Sequence, residues 1–102
     1  MMKDYTGGYY EAILQIRPSD KKVIDFVLGE IANKNNVFIT RKIEKKFGID
    51  FYITSYRFAV AIGRSLKKRF NGNLVISKKL YSVNRQTSKF VYRVTVLFRL
   101  KK

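Results

Sequence analysis

The stretch SKFVYRVTVLFRLKK, residues 88–102, separates into two strings when alternate residues are taken. Phe90, Tyr92, Val94, Val96, Phe98 and Leu100 fall on one side, and Lys89, Val91, Arg93, Thr95, Leu97 and Arg99 on the other. Successive side chains leave a β-strand on opposite faces, so this alternation predicts a strand with an apolar core face and a cationic outer face. What covers each face decides the fold, and what the cationic face meets decides the function.

Immediately upstream, NLVISKKLYSV (73–83) reads as the partner strand of a terminal hairpin turning around NRQTS (84–88). Before it, YRFAVAIGRSLKKRF (56–70) has helical periodicity, Ser55 is the expected N-cap, and Asn71-Gly72 is expected to end the helix as a left-handed C-cap. The runs VFITRKIEK (37–45) and IDFYITS (49–55) are β-like and joined near Lys46-Phe47-Gly48, where Gly48 is expected to supply a positive φ.

A first helix is predicted in DKKVIDFVLGEIANKN (20–35), capped by Ser19 or Asp20 and closed by Asn33 to Asn36. Val23, Ile24, Val27, Leu28 and Ile31 form its apolar stripe, with Phe26 packed at the margin. GYYEAILQIR (8–17) is the first strand, with Tyr10, Ala12, Leu14 and Ile16 on its core face, and Pro18 ends it. The resulting order, β-α-β-β-α-β-β, predicts an α+β two-layer sandwich. An antiparallel sheet of about five strands carries both helices on one face, as a ferredoxin-like variant with an extra strand, and its other face stays open.

A chain of 102 residues fits one domain spanning 1–102, and 46% hydrophobic with 15% aromatic residues argues against disorder. The start, MMKDYTGG, reads as a flexible lead-in over residues 1–7 to a domain of a longer protein. There is no cysteine and no histidine, so disulfides, thiolate metal sites and imidazole chemistry are excluded, and no cofactor or metal is expected. A phosphate-binding glycine loop, a serine triad and paired carboxylates are all missing, so the chain is not expected to be an enzyme or to take a small-molecule substrate. With no apolar run of membrane-spanning length and no secretion signal, a cytoplasmic protein is expected.

The net charge is +15, and it is unevenly placed. Residues 1–40 carry five basic and five acidic side chains, so all of the excess lies in 41–102. Such asymmetry builds a positive potential over one region and points to a polyanion.

Two sets of cations carry this expectation. On the second helix Arg64 and Lys68 each lie within about 20° of Arg57, one to either side, and opposite Ile62, Leu66 and Phe70, with Lys67 beside them. On the terminal strand Lys89, Arg93 and Arg99 share one parity and span about 33 Å, with Lys78, Lys79 and Arg85 around the same hairpin. A solvated helix face and protection of a sheet edge explain such charges equally simply, but arginine forks interleaved with aromatic rings suit phosphate and base contacts. The two sets fall on opposite sides of a two-layer domain, so one duplex cannot touch both. KKFGIDFY (45–52) matches the RNP1 pattern of RNA-recognition motifs at Lys45, Phe47, Gly48 and Tyr52 but departs at Lys46, Ile49 and Asp50, and that fold is not adopted as the reading. Tyr56 and Val60 supply little apolar rim for a membrane-bound helix, and no membrane partner is expected.

In order and spacing, GYYEAILQIR, GIDFYITS with Ala59, and RQTSKFVYRVTVLFRL resemble the middle region of the nonsense-mediated-decay-three family, over roughly residues 8–100. That family is the large-ribosomal-subunit assembly and export adapter of eukaryotes and its archaeal counterparts. The resemblance implies a non-catalytic, rRNA-binding domain of an archaeal maturation factor, whose partners are large-subunit rRNA and ribosomal proteins. The family's upstream paired Cys-x-x-Cys motifs have no counterpart here, so zinc is not implied. The alternative is a protein-interaction module that docks an acidic partner through its basic surface.

Overall fold

The computed structural model describes residues 9–84 and 89–101, and the side chains of 9–80 and 92–101. The expected lead-in (1–7), Arg85 and most of the NRQTS turn, and the side chain of Lys89 lie outside these described residues. Within them the elements follow the expected order: β1 (Ala12–Arg17), α1 (Lys21–Ala32), β2 (Ile39–Lys45), β3 (Gly48–Ile53), α2 (Tyr56–Arg69), β4 (Gly72–Asn84) and β5 (Lys89–Leu100). The fold is α+β, with one five-stranded sheet in the order β2-β3-β1-β5-β4.

Three ladders are antiparallel, but β1 and β5 run parallel, from Ala12 opposite Val94 to Arg17 opposite Arg99. The sheet is therefore mixed, where an antiparallel one was expected. The strand that follows α2 does not settle against β1. It lies one place further out, and β5 turns back into the gap. Thus β5 is an interior strand, flanked on both sides, and β4 is an edge.

Alternation sets the core. Ala12, Leu14 and Ile16 of β1, Ile49, Phe51 and Ile53 of β3, and Val94, Val96 and Phe98 of β5 are all buried, together with Ile39 at the start of β2. Register partners such as Leu14 with Phe51 and Val96 bring these groups side by side on one face. Each such side chain, fully buried, contributes about 1.5–3 kcal/mol. Val23, Val27 and Ile31 of α1 and Ala59, Ile62 and Leu66 of α2 cover that face from above. Phe26 is half-buried, its ring centroid 6.1 Å from that of Phe70 with Arg69 over it at 4.9 Å, as a margin position requires.

Both helices start where side-chain oxygens can take up free amides. Asp20 accepts from the backbone N–H of Lys22 and Val23, and Ser55 accepts from Phe58 N–H. Glu11, just ahead of β1, adds a second cap to α2 by accepting from Tyr56 N–H at 2.9 Å. Anionic oxygen here also meets the positive end of the helix dipole.

Two glycine expectations are corrected. Gly72 is the first residue of β4 rather than a left-handed cap, and α2 ends on Phe70 in extended conformation. Neither Gly72 nor Gly48 has φ in the left-handed region. Close approach explains both: a Cβ on Gly72 would lie 2.5 Å from the Arg99 carbonyl oxygen, and one on Gly48 would run into the Ile16 carbonyl oxygen and the Arg17 side chain. Gly63 plays the same part inside α2, because a Cβ there would stand 2.6 Å from Val96 Cγ1 and 3.0 Å from Leu74 Cδ1. Gly63→Leu should therefore cost about 2 kcal/mol, overpacking outweighing the gain in helix propensity of about 1 kcal/mol. The check is a lowered urea midpoint at unchanged m.

Candidate nucleic-acid interface

Residues of the opposite parity build the open face. Register places them in rows that cross the sheet. At one end Asn73, Arg99 and Arg17 lie side by side, followed across Gly48 by Lys45. The middle row is Val75, Leu97, Gln15, Asp50 and Ile43, and the next is Ser77, Thr95, Ile13, Tyr52 and Arg41. Beyond these, Lys79 sits opposite Arg93. Two basic bands thus border a neutral strip, with Arg93 and Arg99 about 20 Å apart along β5.

Among the described residues one carboxylate belongs to this face, and it is spoken for. Asp50 is 3% exposed, because Arg17 from β1 and Lys45 from β2 close over it. Arg17 Nη2 lies 2.7 Å from Asp50 Oδ1 and Lys45 Nζ lies 3.2 Å from Asp50 Oδ2. Arg17 also donates from Nη1 to the Ile16 and Ile49 carbonyls, at 3.0 and 3.3 Å. The aspartate that departs from the RNP1 pattern is consequently shielded, and would not confront an approaching phosphate. Of the other carboxylates, Glu11 and Asp20 cap helices, Asp25 and Glu30 are on α1, and Glu44 has the parity of the helix side of β2.

Aromatic rings adjoin one band. Arg93 donates from Nη1 to Tyr10 Oη at 2.8 Å and its guanidinium carbon stands 3.9 Å over the Tyr10 ring centroid. Tyr10 meets Tyr52 edge-on at 4.7 Å, and Arg41 lies 5.9 Å over Tyr52. Tyr10 was expected on the core face. It instead precedes β1, beyond a bend at Glu11, which frees it from the strand's alternation.

The residues singled out from sequence divide between two sides. Arg93, Arg99 and Lys79 face the open side, and Lys89 has their parity on β5. Lys78 pairs with Val94 and so has the helix-side parity, where its Nζ stands 4.1 Å over the Tyr92 ring. Arg57, Arg64, Lys67 and Lys68 are exposed along α2, in the helix layer. The Arg57 guanidinium is held above its ordinary pKa, chiefly by its side-chain hydrogen bond to Tyr56, and stays charged. The fold brings Arg17, Arg41 and Lys45 together with the strand cations, and these three were not among the phosphate contacts expected from the sequence. Their signal was available as parity: Ile13, Gln15 and Arg17 oppose the core string of β1, and Arg41, Ile43 and Lys45 alternate along β2.

Among the described residues no group of three His, Cys, Asp or Glu side chains could hold a metal, and no helix is long and apolar enough to cross a membrane. Among the described residues two helices cover one face of a five-stranded sheet and the other face is open and basic, which defines a two-layer α+β domain whose distinctive surface is the sheet itself. The chain belongs to the NMD3 family, matching its second domain over residues 9–100. That family provides adapters for assembly and export of the large ribosomal subunit, in agreement with the resemblance of its strand segments. No curated protein matches the chain.

Proposed function

We propose that this domain is a non-catalytic, cytoplasmic rRNA-binding module of a large-subunit maturation factor, gripping RNA through the open face of its sheet. The observation that carries this is the charge balance of that face: Arg17, Arg41, Lys45, Lys79, Arg93 and Arg99 share it with Asp50 alone among the described carboxylates. Lys79 opposite Arg93 and Arg17 opposite Arg99 are like-charged cross-strand neighbours, the second pair partly offset by the ion pair of Arg17 with Asp50. Such pairs are destabilising in a free sheet, so they favour an external anion that relieves the repulsion. Arginine forks and the Tyr10–Tyr52 rings are suited to phosphate and sugar-base contacts in RNA.

Binding of purified large-subunit rRNA as a function of salt is the test. With about four or five phosphates engaged, log K should fall against log salt with a slope of roughly −3 to −4.5. An affinity indifferent to salt would rule the proposal out. A second reading, docking of an acidic protein, is favoured by one observation: Val75, Ile76 and Leu80 are 53%, 39% and 52% exposed on the edge strand β4. Attachment to large subunits that survives nuclease digestion of the rRNA would select it.

A further inference from the structure

At the end of the sheet where the Arg17–Arg99 row lies, the chain forms an open cleft of about 400 Å³. Arg17, Pro18 and Ser19 line one side, Lys46 and Phe47 of the β2–β3 turn another, and Arg99 with Leu100 the third. The volume lies within the range of about 300–1,000 Å³ that small-molecule groups occupy. Three of its lining residues are cations, and they differ in freedom. Arg17 is fixed by Asp50 and two carbonyls, whereas Lys46 and Arg99 are exposed and make no ion pair among the described residues.

Phe47 is 73% exposed at the tip of a two-residue hairpin turn, and its one described ring contact is Lys46 Nζ at 5.5 Å. Such turns favour asparagine or glycine with positive φ, and Phe47 has neither the identity nor the φ. A single exposed phenyl group is ordinary on a protein surface, and it is the place of Phe47 on the wall of a cleft with three cations that gives it a use.

We propose that this cleft receives one unpaired nucleotide of a single-stranded RNA segment, its base stacked on Phe47 and its phosphate held between Lys46 and Arg99. Arg17 supplies a fixed positive wall, and Ser19 also lines the site. A flat ring beside three cations suits a ligand that joins a π-face to an anion on one short unit. An aspartate or glutamate side chain supplies the carboxylate but carries no ring on the same unit. The site rests on the rRNA-binding proposal above and sharpens it, because it requires at least one base to be out of a helix.

The experiment compares a labelled single-stranded hexanucleotide with an RNA duplex of matched charge, for the chain and for Phe47→Ala, Phe47→Tyr and Arg99→Gln. The single strand should bind more tightly to the unaltered chain. Phe47→Ala should weaken that binding about tenfold with little change in salt slope, and Phe47→Tyr should restore it. Arg99→Gln should reduce the slope by about 0.7, the value for one single-strand phosphate. On adding the single strand, Phe47 ring protons should move upfield, as stacking demands. If Phe47→Ala binds single strand and duplex as the unaltered chain does, with salt dependence intact, the pocket assignment falls while rRNA binding stands. If Phe47→Ala instead weakens only attachment to nuclease-treated subunits, the cleft takes a protein segment and the assignment is overturned. If the unaltered chain binds neither RNA, both proposals fall together.

Discussion

Lys79→Glu combined with Arg99→Glu should weaken binding to large-subunit rRNA by more than a hundredfold at low salt, while leaving the domain folded. Both side chains are exposed, at opposite ends of the open face and on adjacent strands. A hydrogen bond to a charged group is worth about 1.5 kcal/mol at the low end of its range, so two lost contacts remove about 3 kcal/mol before the added carboxylates repel the backbone. The salt slope should also shrink, by roughly 1.4 to 1.8. Arg93 is spared in this pair because its hydrogen bond and ring contact with Tyr10 give it a structural part. The control is Arg57→Glu with Arg64→Glu on α2, which should cost severalfold less. Equal losses from both pairs, measured by fluorescence anisotropy on the same RNA, would mean that RNA does not favour the sheet face.

Asp50→Ala should lower stability by about 3 kcal/mol, the low end for removing one partner of a buried ion pair. The side chains of Asp50 and Arg17 are 4% and 17% exposed, so deleting the carboxylate strands a guanidinium that water reaches poorly. For a domain of this size the melting temperature should drop by about 12 °C or more. Glu44→Ala, at an exposed position on the neighbouring strand, should change stability by no more than about 0.5 kcal/mol. A melting temperature for Asp50→Ala equal to that of Glu44→Ala would show that the cations over Asp50 hold nothing in place.

Local signals in the sequence located every element. Period-two strings gave the strands, a stripe at helical spacing gave each helix, and Asp20 and Ser55 cap the helices at the expected places. Neighbour relations were less legible, because alternation states which side chains share a face without saying which strand lies alongside. The insertion of β5 beside β1 depends on the competition between β4 and β5 for one position, a property of the whole sheet. Gly48 and Gly72 were misread for a related reason. A glycine near a turn suggests backbone freedom, and only tertiary contact shows that the need is for space. The two lysines at 78 and 79 could be separated onto opposite faces by parity alone, yet Asp50 covered by two cations from flanking strands follows only from register. Phe47 was legible as a residue and not as an exposed one, since an aromatic beside a turn is more often buried.

The inward position of β5 has a consequence for how the molecule comes into being. Arg93 and Tyr10, which touch across that junction, are 83 positions apart in the chain. As the polypeptide is synthesised, β1, α1, β2, β3 and α2 all emerge before the strand that must lie beside β1. Until then one flank of β1 presents bare amides and carbonyls, and the helices lack Val94, Val96 and Phe98 beneath them. A half-made chain therefore holds an open seam in the middle of its sheet, and closing it over so long a loop is an entropically slow step that waits for the C-terminal strand.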